Sequence, residues 1–187
     1  MQISFFFKPD LLGRVKLIAA LTRLDRWLYK IETTIVASCM IVMASILLVS
    51  VGFRHLNIVM VGGEEIAQFT VVWLTFWGMA LCARKGNHII MSAVLDRFSI
   101  PKRKAIITVI CLLSGCFCLI MAGFAVQLTY GVFHRGQVSP ALRIPIWYMY
   151  ISTPVGFLLT GIYYIGAFIK NITGPGVYFG LDKFPLS

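Results

Sequence analysis

The chain alternates long uncharged runs with short charged blocks. Four runs are apolar over roughly the 20 residues that an α-helix needs to cross the hydrocarbon core of a bilayer. They cover residues 33–53, 66–83, 105–133 and 144–169. We therefore predict an all-α integral membrane protein with four transmembrane helices, forming a single membrane domain over residues 1–187.

The segment 11–32 has a different pattern. Apolar residues recur there at steps of three and four from Leu17 to Ile31, and basic residues lie on the other side. This pattern is typical of an amphipathic helix in the headgroup layer, although a cytoplasmic extension packed on a partner is the alternative. The predicted lipid headgroup contacts are the basic residues here and before the third span: Arg23, Arg26, Lys30, Lys102 and Arg103. A second, short interfacial helix is predicted after Ser92.

The basic residues are divided unequally between the two sides of the predicted bundle. Of the 17 Lys and Arg residues, fourteen lie before the first span, between spans two and three, or after the fourth span. The two remaining loops hold three, namely Arg54, Arg135 and Arg143. The positive-inside rule places both termini, including the tail 170–187, in the cytoplasm. Because the net charge of +10 follows the membrane, it does not indicate a nucleic-acid partner.

The residues that transport or redox chemistry requires are missing from the span interiors. No charged residue or histidine lies in the middle of any span, whereas proton relays and coupled-ion sites usually need one. The five cysteines lie in or at the edge of spans, which speaks against a thiol oxidase. We predict no catalytic residue, no metal site and no cofactor. The chain is interpreted as a subunit of a larger assembly and not as an enzyme.

Small residues predict where the helices pack. Gly115, Gly123, Gln127 and Gly131 are separated by multiples of four in the third span. The fourth span has a similar set: Thr153, Gly156, Thr160 and Ala167. Faces of small residues let helix backbones approach closely in lipid, so both are predicted packing surfaces. Gln127 is predicted to form an interhelical hydrogen bond, and a side chain that lines a pathway is the alternative.

Several motifs together resemble those of a known family. The pair Glu64-Glu65 opens the second span, and WLTFWGMALCARKGNHIIMSAVL follows, with Trp73, Gly78 and Ala83-Arg84 in the arrangement of a span-two signature. The later stretches GQVSPALRIP and TPVGF continue the likeness. Over residues 25–170 the chain resembles the small membrane subunit, of the DctQ type, of tripartite ATP-independent periplasmic (TRAP) transporters. Gly62-Gly63 stand where an aromatic residue often precedes the acidic pair.

The resemblance implies a scaffold for an obligate large membrane subunit in the bacterial inner membrane. That subunit would carry out sodium-driven uptake of an organic acid, of the sialic acid or C4-dicarboxylate class, delivered transiently by a periplasmic binding protein. The alternatives are a four-helix redox or quinone-linked subunit and a small self-sufficient transporter dimer. The residues predicted to face the large subunit are Glu64, Glu65, Trp73, Trp77 and Gln127.

The two outward features lead to specific expectations. The loop GQVSPALRIP carries Arg135, Gln137 and Arg143, which are predicted to receive the binding protein, with a plain connector as the alternative. Glu64 and Glu65 fall in the first turn of a helix, where carboxylates are stabilised by unpaired N–H groups. Since adjacent helical residues point about 100° apart, we predict that one caps the helix or faces headgroup water. The other, Glu65, is predicted to meet a cation or hydrogen-bond donor at the partner interface. A plain membrane-boundary marker is the alternative.

Overall fold

The computed structural model describes residues 9–56, 62–86 and 100–173, giving the backbone alone at 9–24, 100 and 101. Five helices follow one another: α1 Pro9–His55, α2 Gly63–Lys85, α3 Ile100–His134, α4 Trp147–Tyr150 and α5 Ser152–Thr173. Four stretches within them are long and apolar enough to cross a membrane: Asp25–His55, Gly63–Lys85, Lys102–His134 and Trp147–Thr173. The prediction of an all-α membrane protein with four spans is confirmed. The second interfacial helix and the tail 174–187 lie outside the described residues.

The helices form a row. In this row α1 packs on α2, α2 packs on α5, and α5 packs on α3, while α1 and α3 make no comparable contact within the described part of the chain. The helix α5 is therefore the most covered, whereas no residue of α1 from Thr33 to His55 is buried. Such a row exposes apolar side chains on its outer helices and on both flat faces, as expected for a protein surrounded by lipid or by other membrane helices.

Small residues bring α5 close to both of its neighbours. A Cβ added at Gly156 would lie 2.7 Å from the backbone oxygen of Phe76 in α2. One added at Gly161 would lie 2.8 Å from Leu119 in α3, and one added at Gly115 of α3 would lie 3.0 Å from Ile165. Thr160 and Ala167 are buried in the same helix. The predicted packing surface of the fourth span is confirmed.

The small residues of α3 do not share one face, unlike the sequence prediction. Gly115 is buried against α5, whereas Gly123 and Gln127 are exposed, about 80° and about 120° around the helix from Gly115. The reason is geometrical: each step of four residues turns a helix by about 400°, so positions four apart drift by about 40° per step. Twelve residues from Gly115 to Gln127 accumulate a drift of about 120°. The prediction of a single packing surface on the third span is therefore wrong, because Gly115 packs on α5 whereas Gly123 and Gln127 do not.

The predicted amphipathic segment 11–32 and the first span 33–53 are one continuous helix of 47 residues. Nothing in the sequence between them stops a helix, since neither Pro nor Gly occurs from Val15 to Val51. The location of its first part in the headgroup layer stays a prediction. At the other end of the chain, Pro101 lies in the first turn of α3, where the missing N–H is not needed.

The fourth span is broken near its start, at Ile151, between α4 and α5. Pro154 lies in the first turn of α5 and has no N–H to donate to the carbonyl of Tyr150, four residues earlier. Side chains from neighbouring helices use the carbonyls that the break leaves free. Thr129 of α3 donates to Tyr150 O at 3.3 Å, and the indole N–H of Trp73 in α2 donates to Tyr148 O at 3.2 Å. The break thus connects α4 to both flanking helices.

Candidate functional sites at the two ends of the spans

A buried charged cluster joins three helices at one end of the spans, where the first span begins and α2 ends. Glu32 of α1 is fully buried, and its carboxylate accepts hydrogen bonds from Arg84 of α2 and from the hydroxyl of Tyr163 in α5. Arg84 also forms an ion pair with Asp25 at 2.5 Å and donates to the Asp25 carbonyl oxygen. We name Asp25, Glu32, Arg84 and Tyr163 the Glu32 cluster.

Helical spacing explains how α1 supplies this cluster. Asp25, Tyr29 and Glu32 are separated by four and three residues, so they lie on one face of the helix. The Arg84 guanidinium lies 5.2 Å from the centre of the Tyr29 ring and 5.3 Å from that of Tyr163, within cation–π range. Only 6% of the Arg84 side chain is exposed. A guanidinium with two carboxylates and two aromatic rings around it is held in one orientation.

A second cluster lies at the opposite end of the spans, where α2 begins. The Glu65 carboxylate accepts hydrogen bonds from the Ser139 hydroxyl, from the Ala141 N–H at 2.8 Å and from the Leu142 N–H at 3.0 Å. All three donors belong to the connection between α3 and α4. We name Glu65, Ser139, Ala141 and Leu142 the Glu65 cluster. All three donors are neutral groups, and among the described residues this carboxylate forms no ion pair.

The connection between α3 and α4 is an ordered turn. Val138 and Pro145 form an antiparallel bridge, and Ile146 N–H donates to Gln137 O at 3.0 Å. Arg143 has a positive φ of 53°, and its N–H donates to Ser139 O at 3.0 Å. Leu142 packs on Gly62, where an added Cβ would lie 2.8 Å from Leu142 Cδ2. The turn is therefore fixed to the start of α2 by both hydrogen bonds and packing.

Residues 43–174 match the family model described as tripartite ATP-independent periplasmic transporters, DctQ component. This match covers more than half of the chain. The chain belongs to the DctQ family. The resemblance stated from the sequence motifs is thus confirmed, and the chain is a small permease subunit of the TRAP type.

Two relatives of the DctQ family illustrate the range of similarity. The ectoine TRAP transporter small permease protein TeaB of Halomonas elongata is 32% identical over 171 residues, which cover 91% of this chain and 84% of the relative. The C4-dicarboxylate TRAP transporter small permease protein DctQ of Rhodobacter capsulatus is 27% identical over 103 residues, covering 55% of this chain and 44% of the relative. The first alignment extends over nearly the whole chain.

The residues predicted to face a large subunit differ in their availability. Trp73 is half-buried and donates to Tyr148, and Glu65 is occupied by the α3–α4 turn. The Trp77 indole nitrogen is buried and has no hydrogen-bond partner among the described residues. Glu64 and Gln127 are exposed. Glu65 therefore has its hydrogen-bond donors within this chain, whereas the sequence prediction placed the donor on a partner subunit. The contacts of all five residues with a partner subunit stay predictions.

The structure also places the predicted binding-protein and lipid contacts. Arg135, Gln137 and Arg143 are all exposed at the Glu65 end, on or beside the ordered turn. Arg26, Lys30 and Lys102 are exposed at the other end, whereas Arg103 is buried. The side chain of Arg23 lies outside the described residues. These contacts with other molecules stay predictions.

Sequence reasoning missed the Glu32 cluster. It counted Arg84 among the solvated cytoplasmic charges and assigned Glu32 to the amphipathic segment, although both lie at the same end of two adjacent antiparallel spans. The available signal was a carboxylate at the start of the first span and a guanidinium at the end of the second. Asp25 at seven residues from Glu32 shows that the same helix face carries two acidic groups. Tyr163 is one of several tyrosines in the fourth span, and its role follows only from the fold.

Proposed function

We propose that this DctQ subunit is a static scaffold for the large membrane subunit of its transporter. The large subunit would carry out sodium-driven, binding-protein-dependent uptake of a small organic acid. The observation that carries this proposal is the open row of helices, whose outer members expose apolar side chains along their length. The Glu32 cluster connects α1, α2 and α5, and the Glu65 cluster fixes the α3–α4 turn to α2, as a static support requires.

The substrate class proposed here is a small solute with a carboxylate group. The resemblance pointed to sialic acids or C4-dicarboxylates, and the relatives' names add ectoine, which is also a carboxylate. The pairwise identity is higher and more extensive with the ectoine protein. In this proposal the large subunit and the binding protein select the substrate. The sequence identity of the small subunit to its relatives therefore does not choose among the three solutes.

We further propose that the α3–α4 turn receives the binding protein at the periplasmic face. The turn is held by the Glu65 cluster, so its exposed Arg135 and Arg143 are presented at a fixed geometry. Two cations on a rigid loop suit carboxylates on a soluble partner, mainly by raising the association rate. Both chain ends would then lie in the cytoplasm.

Co-purification in mild detergent tests the scaffold proposal. The large subunit encoded with this chain should elute with it, and vesicles should take up substrate only when both subunits, the binding protein and an inward sodium gradient are present. Uptake by this chain alone, or elution without any larger membrane partner, would contradict the scaffold role.

Thiol labelling tests the orientation. In a background without the five native cysteines, Gln137→Cys should react with an impermeant reagent outside intact spheroplasts, and Lys85→Cys should not. Both positions are exposed, so access of the reagent is the only difference. Labelling of Lys85→Cys alone would invert the topology.

Charge reversal tests the docking turn. Arg143→Glu should raise the binding-protein concentration needed for half-maximal uptake without lowering the yield of the complex. Arg54→Glu is the matched control, since Arg54 is exposed at the same end but lies outside the turn. An equal effect of the two variants would indicate a general charge effect and would sink the specific docking role.

A further inference from the structure

The outer side of α3, facing away from α5, carries a regular stripe of exposed residues. Its members are separated alternately by four and three residues, and every one is exposed: Val109, Leu113, Cys116, Ile120, Gly123, Gln127, Tyr130 and His134. This spacing is that of the seam along which one helix packs against another in a left-handed pair. We name these eight residues the α3 stripe.

The middle of the α3 stripe is shaped for the close approach of a backbone. Cys116 and Gly123 are small, and a Cβ added at Gly123 would have no atom within 4 Å. Ile120 lies between them and is 58% exposed. A shallow notch between larger apolar residues is the arrangement that permits close contacts between transmembrane helices.

Gln127 shows what kind of molecule covers the stripe. It lies seven residues before His134, about 10 Å along the helix axis, within the uncharged run that ends at Phe133. Its amide has two donors and an acceptor, and it has no hydrogen bond among the described residues. Acyl chains offer no hydrogen-bonding group, so an exposed amide at this depth is costly against lipid alone. A protein helix can supply the missing partner.

We infer that a transmembrane helix of the large subunit lies along the α3 stripe and hydrogen-bonds to Gln127. This inference rests on the proposed scaffold function, because the family assignment is what places a large membrane subunit beside this chain. On α1, at the other side of the row, the hydroxyls of Ser38 and Ser45 donate to the Ile35 and Ile41 carbonyl oxygens of the same helix, so these two side chains need no partner helix.

Photo-crosslinking locates the partner directly. A benzoylphenylalanine at Ile120, on the stripe, should give an adduct with the large subunit in membranes that hold the complete complex. The same group at Val126, equally exposed on α3 but off the stripe, should give a much weaker one. An adduct with the mass of two copies of this chain, or adducts with lipid only, would overturn the inference.

Substitutions test the contribution of the notch and the amide. Gln127→Leu should weaken retention of the large subunit by roughly five- to tenfold, the effect of one interhelical hydrogen bond. Gly123→Leu should weaken it at least as much, while Gly78→Leu serves as control, because Gly78 on α2 also has open space around an added Cβ. Each variant purified alone should keep the helical content and elution volume of the unmodified chain.

The outcomes separate this inference from the scaffold proposal. If the unmodified chain retains the large subunit but Gly78→Leu abolishes retention and Gly123→Leu does not, the scaffold role stands and α2 carries the interface. If the unmodified chain retains no large subunit, both proposals fall.

Discussion

Glu32 and Glu65 are identical side chains that meet different surroundings at the two ends of the spans. The Glu32 carboxylate is fully buried and is bonded by a guanidinium and a phenol from two other helices. The Glu65 carboxylate lies at the start of α2 and takes neutral donors from a single turn. One cluster therefore connects α1, α2 and α5, whereas the other fixes one loop to one helix.

This difference predicts global and local consequences. An unpaired charge in a buried site costs several kcal/mol, since water cannot replace the lost partner. A partly exposed carboxylate that loses its donors is solvated instead. Disruption of the Glu32 cluster should therefore lower the stability of the whole helix row, and disruption of the Glu65 cluster should free the turn while leaving the row intact.

The largest effect is expected for Arg84→Met. The substitution leaves Glu32 buried without its cation, and the free energy of unfolding should fall by about 3–5 kcal/mol. Unfolding in mixed detergent micelles, followed by helical content, measures it. The double variant Glu32→Met with Arg84→Met should recover part of the loss, since the buried charge is then removed as well.

Lys85→Met is the matched control for Arg84→Met. Lys85 is adjacent in sequence and exposed, and among the described residues its ammonium lies over the Tyr29 ring, 5.6 Å from the ring centre. Its removal should change the unfolding free energy by less than about 0.5 kcal/mol. If Arg84→Met and Lys85→Met were equally stable, the Glu32 cluster would contribute nothing to the row.

Removal of one hydroxyl from each cluster gives the most direct comparison. Tyr163→Phe deletes a donor to Glu32 and keeps the ring, so the unfolding free energy should drop by about 1.5–3 kcal/mol. Ser139→Ala deletes a donor to Glu65, where two backbone N–H groups remain. Its effect on global unfolding should be clearly smaller. A larger loss from Ser139→Ala would reverse the assignment of the two clusters.

The elements of this fold could be predicted from the sequence because hydrophobic length alone identifies a membrane span. The charge asymmetry of 17 basic residues and the Glu64-Glu65 pair at a helix start are likewise local features. Glu65 was expected to meet a cation or hydrogen-bond donor of the partner subunit, whereas the donors in the structure belong to this chain. That the donors come from residues 139–142, more than 70 positions away, depends on which helices are neighbours in the row.

The order of helices in the row was not predictable for a physical reason. In a bilayer every outward face of a span is apolar, so hydrophobic pattern does not say which side meets another helix. The Glu32 cluster needs α2 between α1 and α5, and that order depends on close contacts such as Gly156 with Phe76. The drift of positions along α3, which separates Gly115 from Gln127, also becomes clear only once α5 is placed.

Gly62→Ala tests how far packing, apart from hydrogen bonds, fixes the turn. Gly62 has a φ of 86°, and the new Cβ would press on Leu142, so a cost of about 1–3 kcal/mol is expected. Gly136→Ala is the control, because Gly136 has a φ of 59° and open space around its Cβ position. The difference between their unfolding free energies isolates the contact with Leu142. No difference would mean that backbone strain is the whole effect.

The smallest global effect, with the sharpest local one, is expected for Glu65→Gln. A glutamine oxygen can accept from one or two of the donors, but its NH₂ group is itself a donor and must face the N–H of either Ala141 or Leu142, which loosens the turn that carries both. Hydrogen exchange at these two amides should therefore rise toward that of unprotected amides, while exchange in the middle of α5 stays slow. Glu64→Gln is the matched control, since Glu64 is exposed and adjacent, and both variants lose the same charge at the start of α2. Any helix-dipole effect should thus be similar in both, and only Glu65→Gln should loosen the turn. If the two variants exchanged alike, the turn would be held by Gly62 and Leu142 alone, and the carboxylate would serve only the helix start.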